Sequence, residues 1–302
     1  MGTPLFAVPI LKSLYQNGYP ISVVYTQPPQ KSNRGQRINK SPIQSMSETL
    51  NIDFRSPENL DTEQEYEFIK NLNADLAIVV AYGQIIPKNF LNLSKKGFIN
   101  IHGSILPKWR GAAPIQRSIM NLDNETGISI MRIEEALDSG PVCNIYKIKL
   151  NKNENSEEIA EKLSILAAEK ILDNIDDILE DKANFKDQDH QKATYAKKIL
   201  KTEGQIDWQD ESFNINGKIN GLFPFPGAYF NFSGERYKIL KAEIGNGIGK
   251  PGEVLSNNLE IACGNNQSIK ILEIQRQGKK PQKIGEFMLG SQIKKGVILS
   301  NV

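Results

Sequence analysis

The sequence holds few groups that could bind a transition metal or titrate near neutral pH. In 302 residues it has two cysteines, Cys143 and Cys263, and two histidines, His102 and His190. Neither cysteine lies in a CxxC or Cys/His cluster, which argues against a structural zinc and against a disulfide framework. Long apolar runs are also missing. The longest, Leu76–Tyr82, is far short of the roughly 20 residues that span a bilayer. No basic-then-apolar stretch opens the chain as a secretory signal would, and MGTPLF lacks the Ser or Thr of a myristoylation signal. The expected compartment is the cytoplasm. Neither G-x-G-x-x-G nor G-x-x-x-x-G-K-[ST] occurs, and Gly245–Gly249 misses the spacing, which argues against NAD and ATP. No Ser or Cys stands in a G-x-S-x-G elbow, so covalent acyl transfer has no obvious carrier.

Acids are scarce in two stretches. None precedes Glu48 and none lies between Asp75 and Asp123, whereas Lys and Arg occur throughout both. The acids are banked between Glu154 and Asp189 instead. This asymmetry either steers a polyanion while the net charge stays at +2, or is simply solvated surface. What the chain does have is ordinary: 39% hydrophobic and 24% charged residues fit a soluble globular protein, and its length fits two domains.

The first half alternates strand and helix signals. Apolar, β-branched runs at Ile21–Thr26, Leu76–Tyr82, Phe98–His102, Ile128–Ile133 and Val142–Ile148 are strand candidates. Helical spacing appears at Val8–Tyr15, Ile43–Leu50, Glu63–Leu72, Ala112–Met120 and Ser156–Leu179. Such alternation predicts an α/β domain with a Rossmann-like parallel sheet and ligand sites at the strands' carboxyl ends. Lys182–Ala193 is polar and aperiodic and reads as a linker. Beyond Ala228, short strand candidates punctuated by Gly, Asn and Ser predict a small antiparallel barrel. The expected boundaries are a catalytic domain over 1–182, a linker over 183–202 and a barrel domain over 203–302.

With two histidines the search for chemistry is short. His190 falls in the polar linker and reads as solvated. His102 ends a strand, and the period of two puts Asn100 and His102 on one face with Ile101 on the other. The pair is either a functional site or a satisfied polar pair in the core. Asp138 lies in the turn Leu137-Asp138-Ser139-Gly140-Pro141 after another strand. It either sits beside the imidazole, raising its pKa and fixing its tautomer, or caps the turn.

The run Asn100-Ile101-His102-Gly103-Ser104-Ile105-Leu106-Pro107-Lys108-Trp109-Arg110-Gly111-Ala112-Ala113-Pro114-Ile115-Gln116 resembles the signature of the methionyl-tRNA formyltransferase family. Gly2–Pro9, Val80-Ala81-Tyr82-Gly83, Gly127 through Gly140, Phe223–Ala228, Pro251–Val254 and Gln275–Pro281 also fit, in order, over nearly the whole chain. The Asn-x-His plus Asp core belongs to all 10-formyltetrahydrofolate-dependent formyltransferases. The Arg-Gly-Ala-Ala-Pro-Ile-Gln run and the carboxyl-terminal motifs point to the tRNA enzymes. The resemblance implies that the barrel is an OB-like, tRNA-binding domain. It also implies formyl transfer from 10-formyltetrahydrofolate, as co-substrate and without a metal, to the α-amino group of methionyl-tRNA for translation initiation. Asn100, His102 and Asp138 would be catalytic. Tyr82, Gly83, Gln84, Ile85, Ile86, Ser104, Ile105, Leu106 and Pro107 would form the folate pocket. Lys31, Arg34, Arg37 and Lys40, on a loop too long and polar for a plain turn, would contact the acceptor end of the initiator tRNA. Arg276, Lys279 and Lys280, with few acids near them in sequence, would add phosphate contacts. The chain is expected to act as a monomer.

Two positions depart from the family pattern. A strand precedes Gly-Thr-Pro in the family, and this chain opens at Met1-Gly2, so a truncated start and unpaired neighbouring strands are expected. Asn220 stands where the family usually has Arg. Two alternatives follow: a sugar-nucleotide formyltransferase using the same donor, and a catalytically weak RNA-binding protein on this scaffold.

Overall fold

The computed structural model describes residues 1–32 and 37–299. In chain order the elements begin with α1 (Val8–Gln16), β1 (Val24–Tyr25), β2 (Gln30–Ser32), β3 (Arg37–Asn39), α2 (Pro42–Leu50) and β4 (Phe54–Arg55). Next come α3 (Glu63–Leu72), β5 (Ala77–Val79), β6 (Phe98–His102), β7 (Arg110–Gly111), α4 (Pro114–Met120), β8 (Glu125–Arg132) and β9 (Val142–Lys149). The long helix α5 (Ser156–Leu179) is followed by β10 (Tyr195–Ala196), α6 (Ser212–Leu222), β11 (Ala228–Phe232) and β12 (Glu235–Gly245). The last are β13 (Glu260–Ala262), β14 (Ser268–Arg276), β15 (Gln282–Lys283) and α7 (Ile284–Leu289). The chain forms two compact units. One comprises Met1–Gly111, Thr126–Ile148 and Ala160–Tyr195; the other comprises Ala112–Glu125, Lys149–Ile159 and the chain from Ala196.

In the first unit, sequence signals translate directly into helix ends. Ser41 caps α2 by accepting from Gln44 N at 3.0 Å, with Pro42 at the first helical position, and Thr62 caps α3 by accepting from Glu65 N. Asn51 and Asn73 close these helices in the left-handed region, which Asn tolerates. Parallel pairing joins β1 to β4 and β5 to β6, as alternating strands and helices predict. The next strand, β8, runs antiparallel to β6, pairing Asn100 with Met131 and His102 with Ser129, and β9 lies outside it. The sheet is therefore mixed. Along α5, Ile159, Leu163, Ala167, Ile171, Ile175 and Ile178 are buried, one stripe at helical spacing.

The sheet of this unit is in two pieces. Where the resemblance implied a strand, the backbone of Met1–Gly2 forms the bridge: Gly2 N donates to Tyr25 O and Val80 N donates to Met1 O, each at 2.9 Å. Only a glycine fits there, because a Cβ on Gly2 would lie 2.8 Å from the Ala7 Cβ. Beside the bridge is a cavity of about 310 Å³ lined by apolar side chains that include Ile10, Leu14, Val24, Ile78 and Phe98. None of Asn100, His102 and Asp138 lines it. The stretch expected as a linker is packed over its first part. Lys186 pairs with Val142, the Phe185 ring lies under the Arg132 guanidinium, and Gln188 is buried. Polar composition suggested a linker because the apolar contacts here involve single residues rather than a periodic stripe.

The second unit holds an antiparallel, curled sheet in the order β11-β12-β14-β13, with β15 on β14 and register shifts in β12. Its core includes Trp208, Phe230, Tyr237 and Phe287, with Phe230 and Tyr237 stacked at 5.4 Å. Helix α6 was not expected, since Asn and Gly crowd its sequence. Those glycines explain it: a Cβ on Gly221 would meet Gln116 O at 2.9 Å and one on Gly217 would meet Leu122 at 2.8 Å, so α6 packs closely on α4. Asn216 and Asn220 both donate to Lys152 O, at 3.2 and 2.9 Å, which gives Asn220 a structural partner in this chain.

Candidate active site

The strand order brings the loops after β5 and β6 side by side, since Val79 pairs with Asn100 at their carboxyl ends. The turn after β8 leaves from the amino end of β6, since Arg132 pairs with Ile99, and it returns along the sheet so that Asp138 reaches Asn100 and Gly111. Three sequence-predicted residues meet here. Asn100 Nδ2 donates to Asp138 Oδ1 at 3.4 Å, and His102 Nδ1 faces Asp138 Oδ2 at 3.7 Å. His102 is 6% exposed and Asp138 15%. The other imidazole nitrogen is fixed. His102 Nε2 lies 2.9 Å from Trp109 O, and a carbonyl only accepts, so Nε2 carries its proton. Asp138 receives Gly111 N at 2.8 Å on the same oxygen that faces His102. Its backbone is left-handed at φ 48°, a conformation Asp tolerates better than most side chains.

The predicted folate residues divide into those turned inward and those left open. Tyr82 is buried, its hydroxyl has no partner, and burial pushes its pKa up to about 12. Gln84 is fully engaged with the chain, accepting from Leu60 N and donating to Pro57 O, both at 2.8 Å. Ser104 donates to Lys108 O at 2.7 Å, and Leu106 packs on Met131 and Val142. The Ser129 hydroxyl donates to Ser104 O and accepts from Leu106 N, which fixes the second loop. Gly83, at φ 90°, is exposed beside Ile85, which is 90% exposed. Ile86, Ile105 and Pro107 are partly buried. These loops therefore present backbone and Ile85, while most of their polar side chains hold the loops in place.

Of the predicted tRNA-contacting residues, Arg34 lies outside the described residues. Lys31 and Arg37 lie on β2 and β3, which pair antiparallel. Lys40 is ion-paired with Glu48 at 2.8 Å. Arg276 corrects a premise of the sequence reading: its guanidinium binds Glu235 at 2.7 Å, an acid supplied by the neighbouring strand. Lys279 and Lys280 are exposed beside it. His190 also departs from expectation. It is exposed, but its Nδ1 accepts from Arg110 Nη2 at 3.1 Å. Sequence reasoning missed Trp109, Gly111 and Gln188 as partners of the site; Trp109 and Gly111 stand in the run that carries the resemblance, whereas Gln188 had no local signal.

The thiols are unsuited to nucleophilic work, because burial pushes Cys143 up to about 11 and Cys263 to about 12. Among the described residues, no group of three His, Cys, Asp or Glu side chains is placed to hold a metal ion.

Residues 1–175 match the family described as formyl transferase, and residues 198–292 match the formyl transferase C-terminal domain. The methionyl-tRNA formyltransferase of Pelagibacter ubique (strain HTCC1062) is 67% identical over 303 residues, covering 100% of this chain and 98% of that one. The chain belongs to the methionyl-tRNA formyltransferase family. A second member, from Jannaschia sp. (strain CCS1), is 40% identical over 99% of this chain and 98% of its own. Among solved structures, the fold is shared with WlaRD, a sugar 3N-formyl transferase crystallised in the presence of dTDP and 5-N-formyl-THF. The TM-score is 0.69 at 19% identity, over 92% of this chain and 97% of that one. HypX from Aquifex aeolicus, in complex with tetrahydrofolic acid, gives a TM-score of 0.62 at 17% identity, over 91% of this chain and 48% of that one.

Proposed function

We propose that this formyltransferase moves the formyl group of 10-formyltetrahydrofolate to the α-amino group of initiator methionyl-tRNA, with Asn100, His102 and Asp138 as its catalytic residues. The observation that carries the assignment is their convergence: an amide donor at 3.4 Å and an imidazole nitrogen at 3.7 Å from one partly buried carboxylate. Both contacts are long, so neither donor is locked onto Asp138 and a substrate oxygen can take either one. The donor, when bound, supplies a formyl carbonyl on nitrogen that an amine can attack. As charge develops on that oxygen, Asn100 Nδ2 and a protonated His102 Nδ1 stabilise it. Asp138 receives the proton that the amine gives up, directly or through a water, and as the bond from the formyl carbon to the donor nitrogen breaks, that proton passes to the departing tetrahydrofolate nitrogen. Losing one such oxyanion donor typically costs about 3–4 kcal/mol in barrier.

The folate fits the loops 82–86 and 104–107 through their backbone groups and exposed Ile85, which suit a flat pterin. Residues 203–302 make an OB-like tRNA-binding domain, following the catalytic domain over 1–182 and the stretch 183–202. Lys31, Arg34, Arg37 and Lys40, with Lys279 and Lys280, meet phosphates of the tRNA. The enzyme works as a cytoplasmic monomer. A substrate panel with 10-formyltetrahydrofolate tests the reading. Formylation of charged initiator tRNA is expected; turnover of an amino-sugar nucleotide with none of methionyl-tRNA would overturn it.

A further inference from the structure

Gln188 lies in the polar stretch after α5, yet its side chain is buried and both ends are used. Its Nε2 donates to two carbonyls of the turn that carries Asp138, Asp138 O at 2.9 Å and Gly140 O at 2.7 Å. Its Oε1 accepts from Arg110 Nε at 3.1 Å and Nη2 at 2.8 Å. Every partner on one end accepts and every partner on the other donates, so the amide orientation is unique. Arg110 is itself buried and held by donation from its backbone N to Thr194 O at 2.9 Å. Its chain neighbours, Trp109 O and Gly111 N, are the groups bonded to His102 and Asp138.

We infer that Gln188, braced by Arg110, is a positioning residue that sets where the Asp138 carboxylate stands relative to His102, an inference that rests on the proposed catalytic role of Asp138. The left-handed Asp138 backbone needs external support, and the two carbonyls flanking Ser139 receive it from one amide. A shift of about 1 Å in a catalytic group can cost about 100-fold in rate.

Gln188→Glu separates support from mere packing. It retains the acceptor for Arg110 and the side-chain volume but replaces the donor to the turn with an anion. The expected result is a folded protein with kcat lowered about 10–100-fold and both KM values within about threefold. In an Asp138→Ala background the same substitution should cost less than about threefold further, because its effect passes through Asp138. Arg110→Lys, which keeps the charge but loses the fork, should show the same pattern more weakly and provides the test should Gln188→Glu fail to fold. Unchanged kcat in a folded variant, or losses that multiply in the Asp138→Ala background, would overturn the inference. If Asp138→Ala itself leaves kcat intact, the catalytic reading fails instead.

Discussion

His102 is the residue on which the site turns, because Trp109 O commits Nε2 and leaves Nδ1 to face Asp138. A group with one nitrogen anchored loses little freedom when the other is used, which is how a catalytic donor is preorganised. Single substitutions of Asn100, His102 or Asp138 by Ala should each lower turnover at least about 100-fold with the fold intact, as measured by initial rates and circular dichroism. Near-normal formyl transfer by His102→Ala would refute the mechanism. Asp138→Asn separates chemistry from strain. Asn tolerates the left-handed backbone equally well, so its melting point should stay close to wild type while turnover is lost.

At the scale of elements, the turn between β8 and β9 is held by close approach. A Cβ on Gly140 would lie 2.2 Å from Arg132 O, too close for any side chain. Gly140→Ala is expected to cost more than about 2 kcal/mol in a urea melt and to lower turnover by displacing Asp138. A neutral Gly140→Ala would mean that the turn is pliable. The junction of β1, β4 and α3 depends on charge. Glu65, buried, accepts from Tyr25 at 2.7 Å and binds Arg55 through both carboxylate oxygens. Burial by itself would push the carboxyl up, but hydrogen bonds from Arg55 and Tyr25 outweigh it and hold the group below its ordinary value. Its folded pKa is therefore the lower one. The stability it contributes is present above the unfolded pKa and is lost as pH falls through the folded one. Glu65→Gln should cost about 2–3 kcal/mol at pH 7, and the gap to wild type should close on acidification below about pH 4. A gap that stays constant to pH 3 would show that the pair contributes through packing alone.

For the whole molecule, a net charge of +2 conceals local surpluses, and pairing within the fold decides how many cations remain for a polyanion. Glu235 neutralises Arg276, while Lys279 and Lys280 stand exposed next to it. Replacing both lysines should lower the log–log salt slope of tRNA binding by about 1–2 units, roughly one per phosphate contact. Glu235→Gln should raise the slope by freeing Arg276. Binding that does not depend on salt would mean that the charge asymmetry is solvated surface.

The sequence alone determined whatever depends on neighbours a few residues apart. Period two put Asn100 and His102 on one face of β6, helical spacing marked α5, and Gly with Pro marked the turn that holds Asp138. Motif order along the chain carried the family. Tertiary structure decided what depends on partners far apart in sequence. That β8 runs against β6 is a matter of how the chain returns to the sheet, and strand signals carry no direction. Helix α6 exists because α4 accepts its glycines, against local propensity. Arg276 has its charge cancelled by an acid 41 positions away, and Gln188 reaches back 50 residues to the Asp138 backbone and 78 to Arg110. Such bonds leave no trace in periodicity or composition, because a hydrogen bond constrains two points in space and a sequence pattern constrains only one.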